Sequence, residues 1–162
     1  MSAGGDFLGE VQAGVGARTL SSGMAHGILV LDVEPQDLVP LVKDLKGAFG
    51  FDMFLDVTAV DWPQRRPRFD VVYHFYSTRR FVRVRIKTRV DESEPIVDTL
   101  VPLYGSARYM ERECHEMYGI GFRGNDDLRP LLLYEGFQGH PLRKDYPKQR
   151  EQPLVPYREV EP

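Results

Sequence analysis

A single cysteine, Cys114, leaves no partner for an internal disulfide and too few thiolates for a metal cluster held by this chain alone. No apolar run approaches the roughly 18 residues that cross a bilayer. Met1 to Gly23 has neither the apolar centre of a signal peptide nor a basic leader. Residues 1–23 are therefore expected as a flexible terminus, in a protein that stays in the cytoplasm unless a partner carries it to a membrane. The four histidines, His26, His74, His115 and His140, show no ligand spacing such as two on one helical face. No glycine-rich phosphate loop follows a strand, and no serine sits in a nucleophile elbow. A net charge of −3 offers no global reason to expect nucleic acid. The expectation is a structural role, with no catalytic residue, bound cofactor or metal site in this chain.

What is present suffices for one core. The chain has 162 residues, 42% hydrophobic and 28% charged, as in ordinary soluble domains. Ile28-Leu29-Val30-Leu31 reads as a strand. Pro35 can open a helix in which Leu38, Leu41, Val42, Leu45 and Phe49 recur at helical spacing until Gly50. Phe51–Val60, Phe69–Tyr76 and Phe81–Val90 read as strands, separated by Asp61-Trp62-Pro63 with its basic loop and by Ser77-Thr78-Arg79. A helix or broken pair of helices is expected from about Val97 to Tyr118, with Gly105-Ser106 as the break. The fold class is α+β: a mixed or antiparallel sheet of about four strands, covered by helices on one face. The domain spans residues 24–127 and a tail spans 128–162.

Six of the twelve prolines lie from Pro130 onward. Each fixes φ and removes a backbone donor, so the tail is expected to be extended. Leu131, Leu132, Leu133, Tyr134, Phe137, Leu142 and Tyr146 are more large apolar groups than a disordered segment usually carries. The tail is therefore expected to dock on a partner.

Two further segments carry charge patterns. Val82, Val84 and Ile86 alternate with Arg83, Arg85 and Lys87, so one strand face is apolar and the other basic. That basic face is either solvated, or the guard of an edge strand, or a surface that meets acidic groups or phosphates. In the helix before Tyr118, Met110, Cys114, Met117 and Tyr118 form one apolar stripe, and Cys114 reads as a buried small hydrophobe. Arg112 and Glu116 can pair along the helix, as can Arg108 and Glu111, leaving Glu111 and Glu113 open to the outside.

Glu111-Arg112-Glu113, Glu116-Met117-Tyr118-Gly119-Ile120, Asp127-Leu128-Arg129 and Gly139-His140-Pro141-Leu142-Arg143-Lys144-Asp145-Tyr146-Pro147 together resemble the family of the so-called 30-kilodalton subunit of respiratory complex I. The similarity runs from about Gly27 to Tyr146, and the two charged motifs are specific in combination. Tyr104 stands where that family commonly has Trp, Glu116 where it has Asp, and Asn125-Asp126 where it has a His-Pro pair.

The resemblance implies a hydrophilic scaffold subunit in the peripheral arm of NADH:quinone oxidoreductase. It would lie on the cytoplasmic side of the membrane and clasp the neighbouring large subunit that shapes the quinone site. FMN, iron–sulfur clusters and quinone would belong to the assembled complex. Arg143, Lys144 and Asp145 would make charge-assisted contacts that fix the tail's register. His140 and Pro141 would set the turn into it, and Tyr146 would anchor it. Glu111, Arg112, Glu113 and Glu116 would orient the helix. The equivalent subunit of a membrane-bound hydrogenase, or a nucleic-acid module using Arg79–Arg89, are the competing expectations.

Overall fold

A computed structural model describes residues 3–149. Its centre is a mixed five-stranded sheet in the order β1-β2-β5-β4-β3, formed by β1 (Ser21–Ala25), β2 (Ile28–Val33), β3 (Met53–Asp61), β4 (Phe69–Ser77) and β5 (Val82–Val90). The β2–β5 pairing is parallel; the other three are antiparallel. Alternation along β5 places Val84 and Ile86 on the buried face, directly across from Phe75 and Tyr73 of β4. The basic side chains of β5 point the other way, as their spacing predicts.

Helix α2 (Leu38–Gly47) buries Leu38, Leu41, Val42 and Leu45, the helical stripe read from the sequence, and a 3-10 turn at Pro35–Asp37 leads into it. Helix α1 (Ala3–Val15) adds Phe7, Leu8, Val11 and Val15 to the same core. Of the terminus expected to be flexible over residues 1–23, residues 3–23 carry this helix and the start of a strand, while residues 1–2 lie outside the described residues. The apolar spacing of α1 is helical, and Phe7 stacks on Phe51 at 6.3 Å. Strand β1, also unforeseen, pairs with β2 through a two-residue turn in which His26 and Gly27 have φ of 52° and 76°. Positive φ at both central residues suits the twist of a tight hairpin.

A second, two-stranded parallel sheet pairs β6 (Ile96–Asp98) with β7 (Gly121–Arg123), and α3 (Ala107–Tyr118) is the crossover between them. The helix expected from Val97 therefore begins ten residues later. Val97 belongs to β6, and the intervening turns are held by backbone bonds such as Tyr104 N–H to Leu100 O at 2.9 Å. Tyr104 closes this layer over the sheet. Its ring lies 5.8 Å from Phe54 and 5.6 Å from Phe75, and its hydroxyl donates to Phe51 O at 2.6 Å. Burial pushes the Tyr104 hydroxyl up to about 12.

β5 is the middle strand of the sheet. Its cations therefore guard no edge, which removes that explanation for them. After β7, residues 128–149 contain only turns, bends and irregular backbone. No helix among the described residues is long and apolar enough to cross a membrane.

Candidate functional site: the clamp on the last helix

Helix α3 ends at Gly119, whose φ of 75° is left-handed and whose N–H donates to His115 O at 2.7 Å. The carbonyls of the final turn have no partner within the helix. Segment 140–143 supplies them. His140 Nδ1–H donates to Glu116 O at 2.9 Å, Leu142 N–H to Met117 O at 3.1 Å, and Arg143 Nε–H to Tyr118 O at 2.6 Å. Three successive orphan carbonyls thus explain the His-Pro-Leu-Arg order. Pro141, half-buried, sits at the one position of the four where neither backbone nor side chain has to donate. The Arg143 cation also complements the negative end of the helix dipole. The fit leaves no room at Gly119, where an added Cβ would lie 2.5 Å from Arg143 Nη2 and 2.6 Å from His140 Nε2.

The acidic residues of α3 have different tasks. Glu116 accepts the backbone N–H groups of Leu131, Leu132 and Leu133 at 3.2, 3.0 and 2.7 Å. Glu111 is fully buried and accepts from Thr99 Oγ1 at 2.6 Å, Leu100 N–H at 2.7 Å and Asn125 Nδ2 at 2.9 Å. Burial raises the Glu111 carboxyl above the usual range, opposed by those three donors. Glu111 is therefore not open to the outside; it ties the turn after β6 and the turn after β7 to α3. Glu113 remains exposed.

The helical pairs read from spacing do not form. Arg112 instead donates to Arg129 O at 2.8 Å and Pro130 O at 2.7 Å and lies 3.6 Å from Asp127, while Arg108 pairs with Asp126 at 2.9 Å. Partners reached through backbone carbonyls leave no trace in an i, i+4 pattern. Asp127, hydrogen-bonded by Arg129 and close to Arg112, has its pKa lowered to about 2.

The segment 144–146 reaches the far end of the sheet. Lys144 N–H donates to Asp61 Oδ2 at 2.8 Å. Asp61 also receives Arg68 Nε and Nη2 at 2.7 and 2.8 Å, and Arg68 continues to Asp145 at 3.0 Å and to Glu92. The rings of Tyr146 and Phe137 stack at 6.1 Å. Phe69 lies between two guanidiniums, Arg68 at 5.0 Å and Arg143 at 5.1 Å from its ring. Arg143, Asp145 and the Lys144 backbone therefore make their contacts with this chain's own domain. Asp61, Arg68 and Asn125 are essential to the arrangement and were not read from the sequence as site residues. The available signal was the Asp61…Arg68 pair bracketing a proline-bounded loop, whose ends β3 and β4 hold side by side.

The groups of the site are largely committed to bonds within the chain. Between α3 and the clamp lies a cavity of about 170 Å³ lined by His115, Glu116, Leu128, Leu133, Phe137 and His140. Each imidazole is committed through Nδ1, His115 to Ile120 O at 2.8 Å and His140 to Glu116 O. Burial holds His140 below its ordinary pKa. The Cys114 thiol is buried and its ionisation suppressed by desolvation. Meanwhile Leu131, Leu132, Tyr134 and Leu142 keep between 37% and 61% of their surface exposed. The anchoring bonds use backbone groups, which turns these apolar side chains outward.

The mixed sheet, the β6–α3–β7 unit and the C-terminal segment bonded to the end of α3 define an α+β module. Residues 31–152 match the family described as respiratory-chain NADH dehydrogenase, 30 Kd subunit. The chain is 44% identical over 144 residues to the NADH-quinone oxidoreductase C subunit of Agrobacterium fabrum, covering 88% of this chain and 72% of that one. It is 42% identical over 144 residues to the same subunit of Xanthobacter autotrophicus, covering 88% and 68%. The solved trypsin-resistant fragment of Nqo5 superposes with a TM-score of 0.65 at 27% identity, over 76% of this chain and 98% of the fragment. A chain of the archaeal membrane-bound sulfane sulfur reductase superposes with a TM-score of 0.78 at 22% identity, over 91% and 88%, a likeness of fold. The chain belongs to the family of the 30 kDa subunit of respiratory-chain NADH dehydrogenase.

Proposed function

We propose that this chain is the scaffold subunit of the peripheral arm of an NADH:quinone oxidoreductase, supporting electron transfer from NADH to quinone coupled to proton translocation. It performs no chemical step itself. FMN, the iron–sulfur clusters and quinone are held by other subunits, a reading supported by a lone thiol that is buried and hard to ionise. Its main partner is the large quinone-site subunit, and its place is the cytoplasmic face of the membrane, reached through the complex. The observation that carries this reading is the clamp itself. His140, Leu142, Arg143, Glu116 and Asp61 bind backbone and leave Leu131, Leu132, Tyr134 and Leu142 facing outward. A row of apolar side chains on immobilised backbone suits burial against a second protein.

The test is affinity purification of a tagged copy from gently solubilised native membranes, with mass spectrometry of the recovered proteins, beside a Leu132→Asp copy. The expected result is co-recovery of flavin, iron–sulfur and quinone-site subunits with the parent and a marked loss with Leu132→Asp. Recovery of hydrogenase subunits would move the chain to a sister assembly. A lone monomer would overturn the reading.

A further inference from the structure

The outer face of β5 carries Arg83, Arg85, Lys87 and Arg89 in a row, in a chain whose net charge is −3. Cations two residues apart on one strand stand about 6–7 Å from each other, so the row is self-repelling. Internal compensation is thin. Arg89 has Asp70 at 3.7 Å, but that carboxylate already takes the Arg65 guanidinium and Trp62 Nε1–H. Arg85 donates to His74 Nε2 at 3.1 Å, a neutral acceptor, and Arg83 lies 6.0 Å from the Tyr76 ring. Lys87 stands opposite Asp32 in the register, and Ser21 donates to that carboxylate at 2.5 Å. Among the described residues, Arg83, Arg85 and Lys87 have no carboxylate within 4 Å. β5 is the central strand, so the row is no protection for an edge.

We propose that the outer face of β5 docks an acidic segment of another protein subunit, whose carboxylates complete the row Arg83–Arg85–Lys87. This rests on the scaffold reading above, and it names a second contact surface, separate from the clamp. Protein is favoured over nucleic acid by the rest of that face. Asp32 on the adjacent β2 and Asp56 on β3, one strand beyond β4, share that face and would repel a phosphate backbone, whereas a folded partner can place its own charges between them. Val30 and Tyr76, half-buried on the same face, supply apolar contact between the charges.

The test uses the assembled complex from native membranes. A water-soluble carbodiimide joins amines to carboxylates in direct contact, so Lys87 should cross-link to Asp or Glu of a different subunit. Acetylation of Lys87 should slow on the order of tenfold relative to the purified free chain, because a docked amine is withdrawn from solvent. The triple variant Arg83→Glu, Arg85→Glu, Lys87→Glu should fail to join the complex, while Arg83→Lys with Arg85→Lys should still join it. If the triple variant does not fold, the labelling of the parent complex decides alone. An assembled complex in which Lys87 stays unlinked and reacts as fast as in the free chain overturns this inference and leaves the scaffold reading standing. Nuclease-sensitive nucleic acid protecting Lys87 overturns it in favour of phosphates. A chain that joins no complex overturns both.

Discussion

Replacing Arg68 by methionine tests whether the clamp is anchored in a buried charge pair. Arg68 and Asp61 expose 4% and 1% of their side chains and share two hydrogen bonds at 2.7 and 2.8 Å. Methionine keeps most of the apolar stem but leaves Asp61 with only the Lys144 N–H as a named donor. Breaking a buried pair from one side costs about 3–5 kcal/mol. At about 2–4 °C per kcal/mol for a chain of this size, the melting temperature should fall by about 6–20 °C. Asp145→Asn touches the same arginine from the solvent side, where the carboxylate is 56% exposed, so it should cost about 1 kcal/mol or less. The assay is thermal and urea unfolding of the purified chain followed by circular dichroism. Linkage adds a second signature. The Arg68 guanidinium holds Asp61 below the usual carboxylate range. Stability from a lowered carboxyl is complete above its unfolded pKa and is lost as pH falls through the folded value. Arg68→Met should therefore flatten the parent's loss of stability in acid. An Arg68→Met protein within about 1 kcal/mol of the parent at pH 7 would refute the reasoning, since no surface pair costs more than that.

Glu116→Gln removes the charge and one acceptor oxygen from a group that receives three backbone donors. Amide exchange at Leu131, Leu132 and Leu133 should quicken about 10–100-fold, the equivalent of about 1.4–2.8 kcal/mol; unchanged protection would show that the carboxylate does not hold this turn. Gly119→Ala and Gly136→Ala form a matched pair, with φ of 75° and 89°, but only at Gly119 does a Cβ strike His140 and Arg143. Both should lose about 1–2 kcal/mol to the left-handed backbone. Gly119→Ala alone should in addition expose residues 140–143 to protease; equal behaviour would deny the close fit.

What was legible in the sequence followed from periodicity. The alternation in β5, the turn-bounded apolar stretches of β3 and β4 and the helical stripe of α2 are local patterns, so strand and helix could be told apart without the rest of the chain. The His26-Gly27 hairpin was missed because histidine is an unusual first residue for a turn needing positive φ at both positions. β6 and β7 are three residues each and stable only as a pair across α3, and a pairing between distant short strands has no local signal. The sequence named the motif residues of the candidate site but not the groups they bond to. Glu116, Arg112, His140, Arg143 and Lys144 act on or through main-chain groups, which every residue carries and no sequence advertises.

That use of backbone bears on how the subunit associates. A tail ordered only on meeting its partner would bring the loss of about 1–2 kcal/mol per residue of backbone entropy into the binding step. Residues 128–149 take their anchoring bonds instead from this chain's own α3 and Asp61–Arg68 pair. Anchoring from within the chain would place that ordering in folding, where the core's burial offsets it, and would leave association with the smaller cost of desolvating Leu131, Leu132, Tyr134 and Leu142. It follows that a variant with a loosened clamp, such as Glu116→Gln, should weaken association even though no side chain on the outward face has changed. The loss should be in affinity rather than in which partner is chosen, because preorganisation and the contact surface are supplied by different atoms of the same residues.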